Sequence, residues 1–449
     1  MRLPSRKRRL SSVQLVVMLY ILTTFLAAVL LRLPIFHKPG VSLSFIDSLF
    51  TAASSVSVTG LSVVTVHEVF NNGGIVLLTV LFQIGGIGIM TLSTLFWLLF
   101  GQRIGLEQRM VIATDHNRPG LSGLVQLMRS ILMIALIIEL IGTVLLGTYT
   151  WLAGYHDHWY TAYFNSFFTS VSAFTNAGFF LQSDSMISYA NDYIYQVIVM
   201  FLIISGAIGF PVLLELKRRL VNRKQRQHFS LFTKITTLTF AVLIVVGALL
   251  FYVFEQGRFL QDKSWHESFF YALFHSVSSR SGGLSTMDIS LLSTSTMMML
   301  SGLMFIGASP SSVGGGIRTT TFFVLVAAVF AYMRGYKEVK VFGRELEEDD
   351  IKRAFIVFFA AIGLIFTSVL LLTAFEDIPF ERLLFEVCSA FGTTGLSAGI
   401  TETLGTASKI VLIITMIIGR IGLVNLLLLK KDDQPVRIRY PKEHVIVGQ

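Results

Sequence analysis

Four short segments end in glycine in the same way, and their spacing is the first feature of this chain with chemical content. They close on Val58–Thr59–Gly60, Asn176–Ala177–Gly178, Ser281–Gly282–Gly283 and Thr393–Thr394–Gly395, so the terminal glycines recur at intervals of 118, 105 and 112 residues. Each segment starts with an aromatic residue 14 or 15 positions before its glycine, and Phe50, Phe168, Leu273 and Phe385 lie ten positions before it. No carboxylate stands beside any of the four glycines, so the chemistry on offer is that of the backbone. Glycine lets the chain turn with φ > 0 while its carbonyl faces an axis and another backbone approaches closely. A ring of such carbonyls can replace the hydration shell of a monovalent cation, whereas a divalent-selective pore would carry a ring of Asp or Glu. Short helices before the turns point their partly negative C-terminal ends at that ring, which favours a cation there. One glycine in a membrane span reads as a helix-packing notch. Four at matched positions read as one site, lined by the twelve residues just named.

Other chemistries are excluded. The single cysteine, Cys388, rules out intrachain disulfides and Cys-based metal clusters. The chain has no HExxH, no GxxxxGK[ST] and no Ser/His/Asp set at an interpretable spacing, so it does not read as an enzyme and implies no cofactor of its own. The formal net charge of +9 does not imply nucleic acid, because Lys and Arg accumulate in the cytoplasmic loops of membrane proteins.

The elements that must position the turns are membrane spans. Apolar residues make up 53% of the chain and charged residues 14%, against roughly 25% charged in soluble proteins. Stretches able to cross a hydrocarbon core of about 30 Å run Val13–Leu31, Ile75–Leu99, Ile131–Leu152, Ile194–Leu214, Thr236–Phe254, Phe355–Phe375 and Ile410–Leu429. An eighth is interrupted, with Met297–Ile306 and Thr319–Tyr332 flanking a Gly/Ser/Pro-rich stretch. Basic clusters precede the first span (Arg2, Arg6, Lys7, Arg8, Arg9) and follow the fourth (Lys217, Arg218, Arg219) and the sixth (Arg334, Lys337, Lys340), so both termini are expected in the cytoplasm. Trp151, Trp159 and Trp265 fall at the expected outer boundaries. The N-terminal apolar segment is too long for a signal-peptide core and reads as a retained span.

A long internal period marks one structural unit repeated. The expected fold is an all-α membrane protein of four tandem span–pore-helix–span units, eight spans in all, arranged pseudo-fourfold around one pore. The units run 1–110, 111–228, 229–345 and 346–449, the last ending in a short cytoplasmic tail. A second echo supports the register: Gly85–Gly86–Ile87–Gly88, Gly206–Ala207–Ile208–Gly209, Gly307–Ala308–Ser309–Pro310 and Gly419–Arg420–Ile421–Gly422 follow the terminal glycines by 24 to 28 residues. In the first two of these, helix packing is the better reading. Four irregular turns at membrane depth cost several kcal/mol per unsatisfied polar group in lipid, so they are expected together around a wet axis.

The units also differ. Only the third breaks its inner helix, at Gly307–Ala308–Ser309–Pro310–Ser311–Ser312–Val313–Gly314–Gly315–Gly316, which the proline and three consecutive glycines keep from being helical. Lined by apolar flanks, this stretch reads as a flexible plug below the ring, with a simple kink as the bland alternative. Only the fourth places an arginine, Arg420, in mid-span, at a cost of at least about 2.5–3.5 kcal/mol unless it faces the protein interior. Arg420 is expected to cap carbonyls of the 307–316 loop and to hold a closed state. Arg280 is expected to turn away from the axis and pair with Glu386 or Glu267, and Cys388 to pack without chemistry. An alternating-access transporter would show inverted repeats and paired polar groups within its spans. Here the repeats share one orientation, and few ionisable residues besides Arg420 lie within spans. A membrane-embedded enzyme has no nucleophile–base pair to recommend it.

The four glycine-ended segments, the interrupted sixth span and Arg420 together resemble the Trk/Ktr/HKT superfamily of potassium transporters, with the KtrB-type membrane subunits of bacterial Ktr systems nearest in pattern. The resemblance covers nearly the whole chain. It implies potassium uptake across the cell membrane, a selectivity filter at the four glycine turns, and an intramembrane gating loop at 307–316. Gly60 favours potassium, since serine there goes with sodium-preferring plant relatives. It further implies a homodimer in membrane lipid, seated on a cytosolic ring of nucleotide-binding (RCK/KTN-type) subunits, with sodium as a candidate activator. The tail leaves no room for a nucleotide-binding domain, so such regulation needs a partner in trans. The four turns differ in sequence, Asn176–Ala177 standing where the fourth has Thr393–Thr394.

Overall fold

A computed structural model describes residues 12–88, 123–221, 228–427 and residue 443. Among these the chain is almost entirely helical. The helices are α1 (Ser12–Leu31), α2 (Phe45–Ser57), the short α3 (Val66–Val69), α4 (Asn72–Ile87), α5 (Leu124–Leu152), α6 (Trp159–Phe174), α7 (Tyr193–Ala207) and α8 (Phe210–Val221). They continue as α9 (Leu231–Glu255), α10 (Trp265–Ser278), α11 (Thr294–Ile306), α12 (Thr319–Met333), α13 (Glu348–Phe375), α14 (Phe380–Gly392), α15 (Thr406–Ile421) and the short α16 (Leu423–Leu427). One two-stranded hairpin, Lys340–Val341 with Arg344–Glu345, precedes α13.

Polar caps fix where the helices begin. The side chains of Ser44, Asn71, Asp192, Ser230 and Ser293 each accept a hydrogen bond from the backbone N–H three residues on, and Ser264 with Glu267 forms a capping box at α10. Such caps satisfy donors that neither lipid nor a helix start can satisfy.

Four helices, α1, α5, α9 and α13, are long and apolar enough to cross a membrane unaided. Their outward faces carry large apolar side chains such as Leu22, Phe25, Leu140, Val253, Phe359 and Phe366, the pattern of helices solvated by lipid. Of the other four expected spans, three are broken among the described residues. The stretch Ile75–Leu99 is helical to Ile87, and the remainder beyond Gly88 lies outside the described residues. The stretch Ile410–Leu429 ends its first helix at Ile421 and resumes at Leu423. The stretch Ile194–Leu214 is apolar enough to cross but sharply bent, α7 and α8 meeting at an angle of 105°. The proposed unit boundary at 110/111 falls outside the described residues.

The short helices α2, α6, α10 and α14 lie inside this frame. Helix α2 packs on α1, α4 and α15; α6 on α5, α7 and α4; α10 on α9 and α7; α14 on α11, α13 and α15. From Phe50, Phe168, Phe274 and Phe385 onward they are wholly buried. An ion pair joins the first unit to the fourth, Lys409 of α15 donating to Asp47 of α2 at 2.8 Å.

Candidate ion pathway

The four glycine turns meet. A Cβ placed on Gly178 would sit 3.1 Å from the Cα of Gly60 and 3.2 Å from that of Gly283. One on Gly283 would sit 3.2 Å from the Cα of Gly395, and one on Gly395 would sit 2.9 Å from that of Gly60. The glycines therefore close a ring in chain order, too tight at each joint for any side chain.

The backbone of each turn repeats the same alternation. The glycines all have positive φ, at 93°, 71°, 72° and 97° for Gly60, Gly178, Gly283 and Gly395. So does the residue two before each: Val58 at 58°, Asn176 at 54°, Ser281 at 82° and Thr393 at 46°. Left-handed backbone is disfavoured for valine and threonine above all. Its recurrence at four matched places is imposed by tertiary closure, since no shared residue type could produce it.

Serines at the helix ends hold three of these turns, and sequence reasoning passed them over. Ser54 Oγ accepts from Gly60 N at 3.0 Å and Ser389 Oγ from Gly395 N at 3.0 Å, while Ser172 Oγ donates to the Phe179 carbonyl at 2.6 Å. Each stands six residues before its glycine, a recurrence that the sequence does contain. In the third turn the equivalent serine is Ser278, five residues before Gly283, donating to the Leu284 carbonyl at 2.5 Å. The buried aromatic shifts in step: Phe274 is fully buried where Leu273, expected to match Phe50, Phe168 and Phe385, is only partly so. The third turn is thus one residue shorter than the others, and Ser281 Oγ braces it by donating to the Thr393 carbonyl at 2.6 Å.

Inner helices lie against the turns through glycine notches. A Cβ on Gly85, Gly206 or Gly419 would collide with the carbonyl of Val56, Phe174 or Phe391, each the residue four before a terminal glycine. Packing accounts for Gly85, Gly86 and Gly206 but not for the last glycine of each motif. Gly88, Gly209, Gly307 and Gly422 have φ of 97°, 101°, 70° and 86° and stand where the inner helices stop. The expectation that only the third unit breaks its inner helix is therefore corrected: the second and fourth also break at a left-handed glycine, the described part of the first stops at one, and the third inserts a ten-residue loop.

That loop, residues 307–316, is pinned under the ring. Ser309 N donates to the Ala207 carbonyl at 3.0 Å and Val313 N to that of Gly206 at 3.3 Å, while Phe210 N donates to the Ser311 carbonyl at 2.9 Å. These bonds use backbone groups freed by the α7–α8 bend. A Cβ on Gly314 would press on the Ser281 side chain at 2.5–2.6 Å, and one on Gly315 on that of Thr393 at 2.7–2.8 Å, which sets the loop directly against two of the four turns. Ala308 N closes the loop on the Gly315 carbonyl at 3.1 Å.

Two arginines grip it. Arg420, almost fully buried, donates from Nη1 to the Val313 carbonyl and from Nη2 to the carbonyls of Gly85 and Gly86, the last at 3.0 Å. Arg318, which sequence reasoning did not single out, donates from Nη1 to the carbonyls of Gly314 and of Ser309, the latter at 3.3 Å. Its place two residues past Gly316 was the available signal.

One expectation about charge changes. Glu139, in the middle of α5 and buried, accepts a hydrogen bond from Gln83 of α4, and Lys409 stands in α15, so these are among the few ionisable residues besides Arg420 within the spans. Arg280 pairs with neither proposed carboxylate. Glu386 Oε1 accepts from Ser397 and Thr401, and Glu267 Oε2 accepts from Ser264. Among the described residues, none of the three side-chain nitrogens of the fully buried Arg280 has a hydrogen-bond partner. Cys388 is buried and free.

Long lipid-facing helices enclosing short half-helices and broken inner helices define a multi-pass membrane protein of transporter type. The same fold is seen in the crystal structure of the potassium transporter TrkH from Vibrio parahaemolyticus, with a TM-score of 0.73 over 96% of this chain and 87% of that one, at 18% identity. Residues 8–436 match the TrkH family, described as cation transport proteins. The chain is 50% identical over 440 residues to the Ktr system potassium uptake protein D of Bacillus subtilis (strain 168), covering 98% of each. It is 36% identical over 442 residues to the Ktr system potassium uptake protein B of the same organism, covering 96% of this chain and 95% of that one. The chain belongs to the TrkH family of cation transport proteins, and it is a transporter and not an enzyme.

Proposed function

We propose that this chain is the pore-forming membrane subunit of a Ktr-type potassium uptake system, with the ring of glycine turns as its selectivity filter. The observation that carries this reading is the ring itself: four left-handed glycines in mutual contact, each preceded by the same backbone alternation. Such a backbone presents carbonyls to the axis from all four sides, the means by which a weakly hydrated monovalent ion is stripped and held. The buried amide of Asn176 and hydroxyl of Thr394 find no protein partner among the described residues, as suits groups bordering a hydrated path. The 50% identical relative is named for potassium uptake, which supports potassium as the ion.

The 307–316 loop then acts as the gate, with Arg420 as a latch on its carbonyls. Both termini face the cytoplasm. A homodimer in the cell membrane, docked on a cytosolic ring of nucleotide-binding subunits, supplies regulation in trans, with sodium as activator. The test is potassium uptake in a host lacking its own transporters, comparing wild type, Gly60→Ser and a deletion within 307–316. Gly60→Ser is expected to weaken potassium affinity and raise sodium sensitivity, since its Cβ would press on the Ala177 carbonyl oxygen at 2.6 Å. The deletion is expected to raise unregulated flux. Unaltered affinity and sodium sensitivity in Gly60→Ser, at wild-type membrane levels, would overturn the filter assignment.

A further inference from the structure

One buried charge beside the ring has no explanation in the reading above. Arg280 lies three residues before Gly283 at the C-terminal end of α10, is fully buried, and has no hydrogen-bond partner for its guanidinium among the described residues. The buried carboxylates Glu386 and Glu255 bond to other groups, Glu386 to Ser397 and Thr401 and Glu255 to Ser293 and Thr296, each through Oε1. Counted from the buried aromatics (Phe50, Phe168, Phe274, Phe385), Arg280 takes the place held by Val56, Phe174 and Phe391. Counted from the glycines, it takes the place of Ser57, Thr175 and Gly392. Either way its three counterparts are uncharged, and in the helix register two of them are fully buried phenylalanines. A guanidinium thus stands where two other units place a buried phenylalanine.

A structural arginine is paired, because an isolated buried charge costs several kcal/mol. Among the described residues this one is not paired, so its effect is felt on what lies near it. Three of the half-helices offer the ring an unopposed negative end, and the fourth carries its own positive charge there. We infer that Arg280 is a fixed positive charge that weakens cation binding at the glycine ring, keeping a bound ion from being held too tightly to leave. Conduction demands that compromise. This inference rests on the filter reading of the ring.

Three chain steps keep the Arg280 Cα within about 10 Å of the Gly283 Cα. At an effective dielectric near 20 over about that distance, its removal tightens cation binding by about tenfold. The experiment measures the concentration dependence of potassium flux by the full-length protein in liposomes, for wild type, Arg280→Met, Arg280→Gln, Arg280→Lys and Gly60→Ser. Arg280→Met is expected to fold with undiminished thermal stability, since phenylalanine fills the counterpart sockets, and to lower the half-saturating potassium concentration about tenfold with a lower maximal rate. Arg280→Lys keeps the charge and is expected to match wild type in affinity. A folded Arg280→Met with half-saturation within twofold of wild type overturns the inference. So does misfolding of both Arg280→Met and Arg280→Gln while Arg280→Lys folds, because that result means the charge is paired. If Gly60→Ser changes affinity while Arg280→Met does not, the filter reading stands and this inference alone fails.

Discussion

Removing Arg420 tests the gate most directly. Its guanidinium bridges two elements, reaching Val313 in the loop and Gly85 and Gly86 at the end of α4. When the loop withdraws, only the bond to Val313 must break, because the other two join parts of the frame. A hydrogen bond from a charged donor contributes about 1.5–3 kcal/mol, so Arg420→Met should shift the balance between pinned and withdrawn loop by about 10- to 150-fold. Arg318 still holds Ser309 and Gly314, which makes this an upper range. The assay is the initial rate of potassium entry into liposomes carrying the purified chain without any partner. A substantial rise over wild type is expected, with some loss of thermal stability from the two bared carbonyls on α4. An Arg420→Met protein that is monodisperse and folded, yet conducts at the wild-type rate, would show that the arginine does not latch the loop.

Gly206→Ala should lower the melting temperature in detergent by the equivalent of about 1–3 kcal/mol, because the new methyl meets the Phe174 carbonyl, while Gly363→Ala, with nothing within 4 Å, should not. Ser281→Ala removes the brace to the Thr393 carbonyl and should change potassium-over-sodium preference by less than about tenfold, the worth of one neutral hydrogen bond; competition uptake measures it. A double-mutant cycle of Lys409→Met and Asp47→Asn should return a coupling of about 1 kcal/mol in thermal unfolding, since the pair is partly screened by solvent. Glu139→Leu strands the amide of Gln83 and should destabilise by about 1–3 kcal/mol, whereas Glu139→Gln should be tolerated.

What could be read from sequence was whatever a residue type announces by itself. The glycines at 60, 178, 283 and 395 were visible because nothing else substitutes for glycine in a crowded left-handed turn. The left-handed residues two places earlier were not, because Val58 and Thr393 have every intrinsic reason to avoid that backbone, and only closure of the ring forces it. The bend at Gly209 was hidden within an apolar run, where a glycine is tolerated in a helix at small cost. Glu139 was hidden in the same way, as one polar letter in a span whose partner lies 56 positions away. The one-residue shortening of the third turn needed the buried face of α10 to be known. Leu273 and Phe274 are both apolar, and only packing decides between them.

The ring of turns is closed by a single chain, so each of its sides is specified once. In a ring of identical subunits every substitution is made four times over, and a guanidinium placed like that of Arg280 would bring four mutually repelling charges to one axis. Here it brings one. Continuity of the chain thus lets each side drift on its own, and lets a charge, a shortened turn or a ten-residue loop be acquired on one side while the other three keep the site intact.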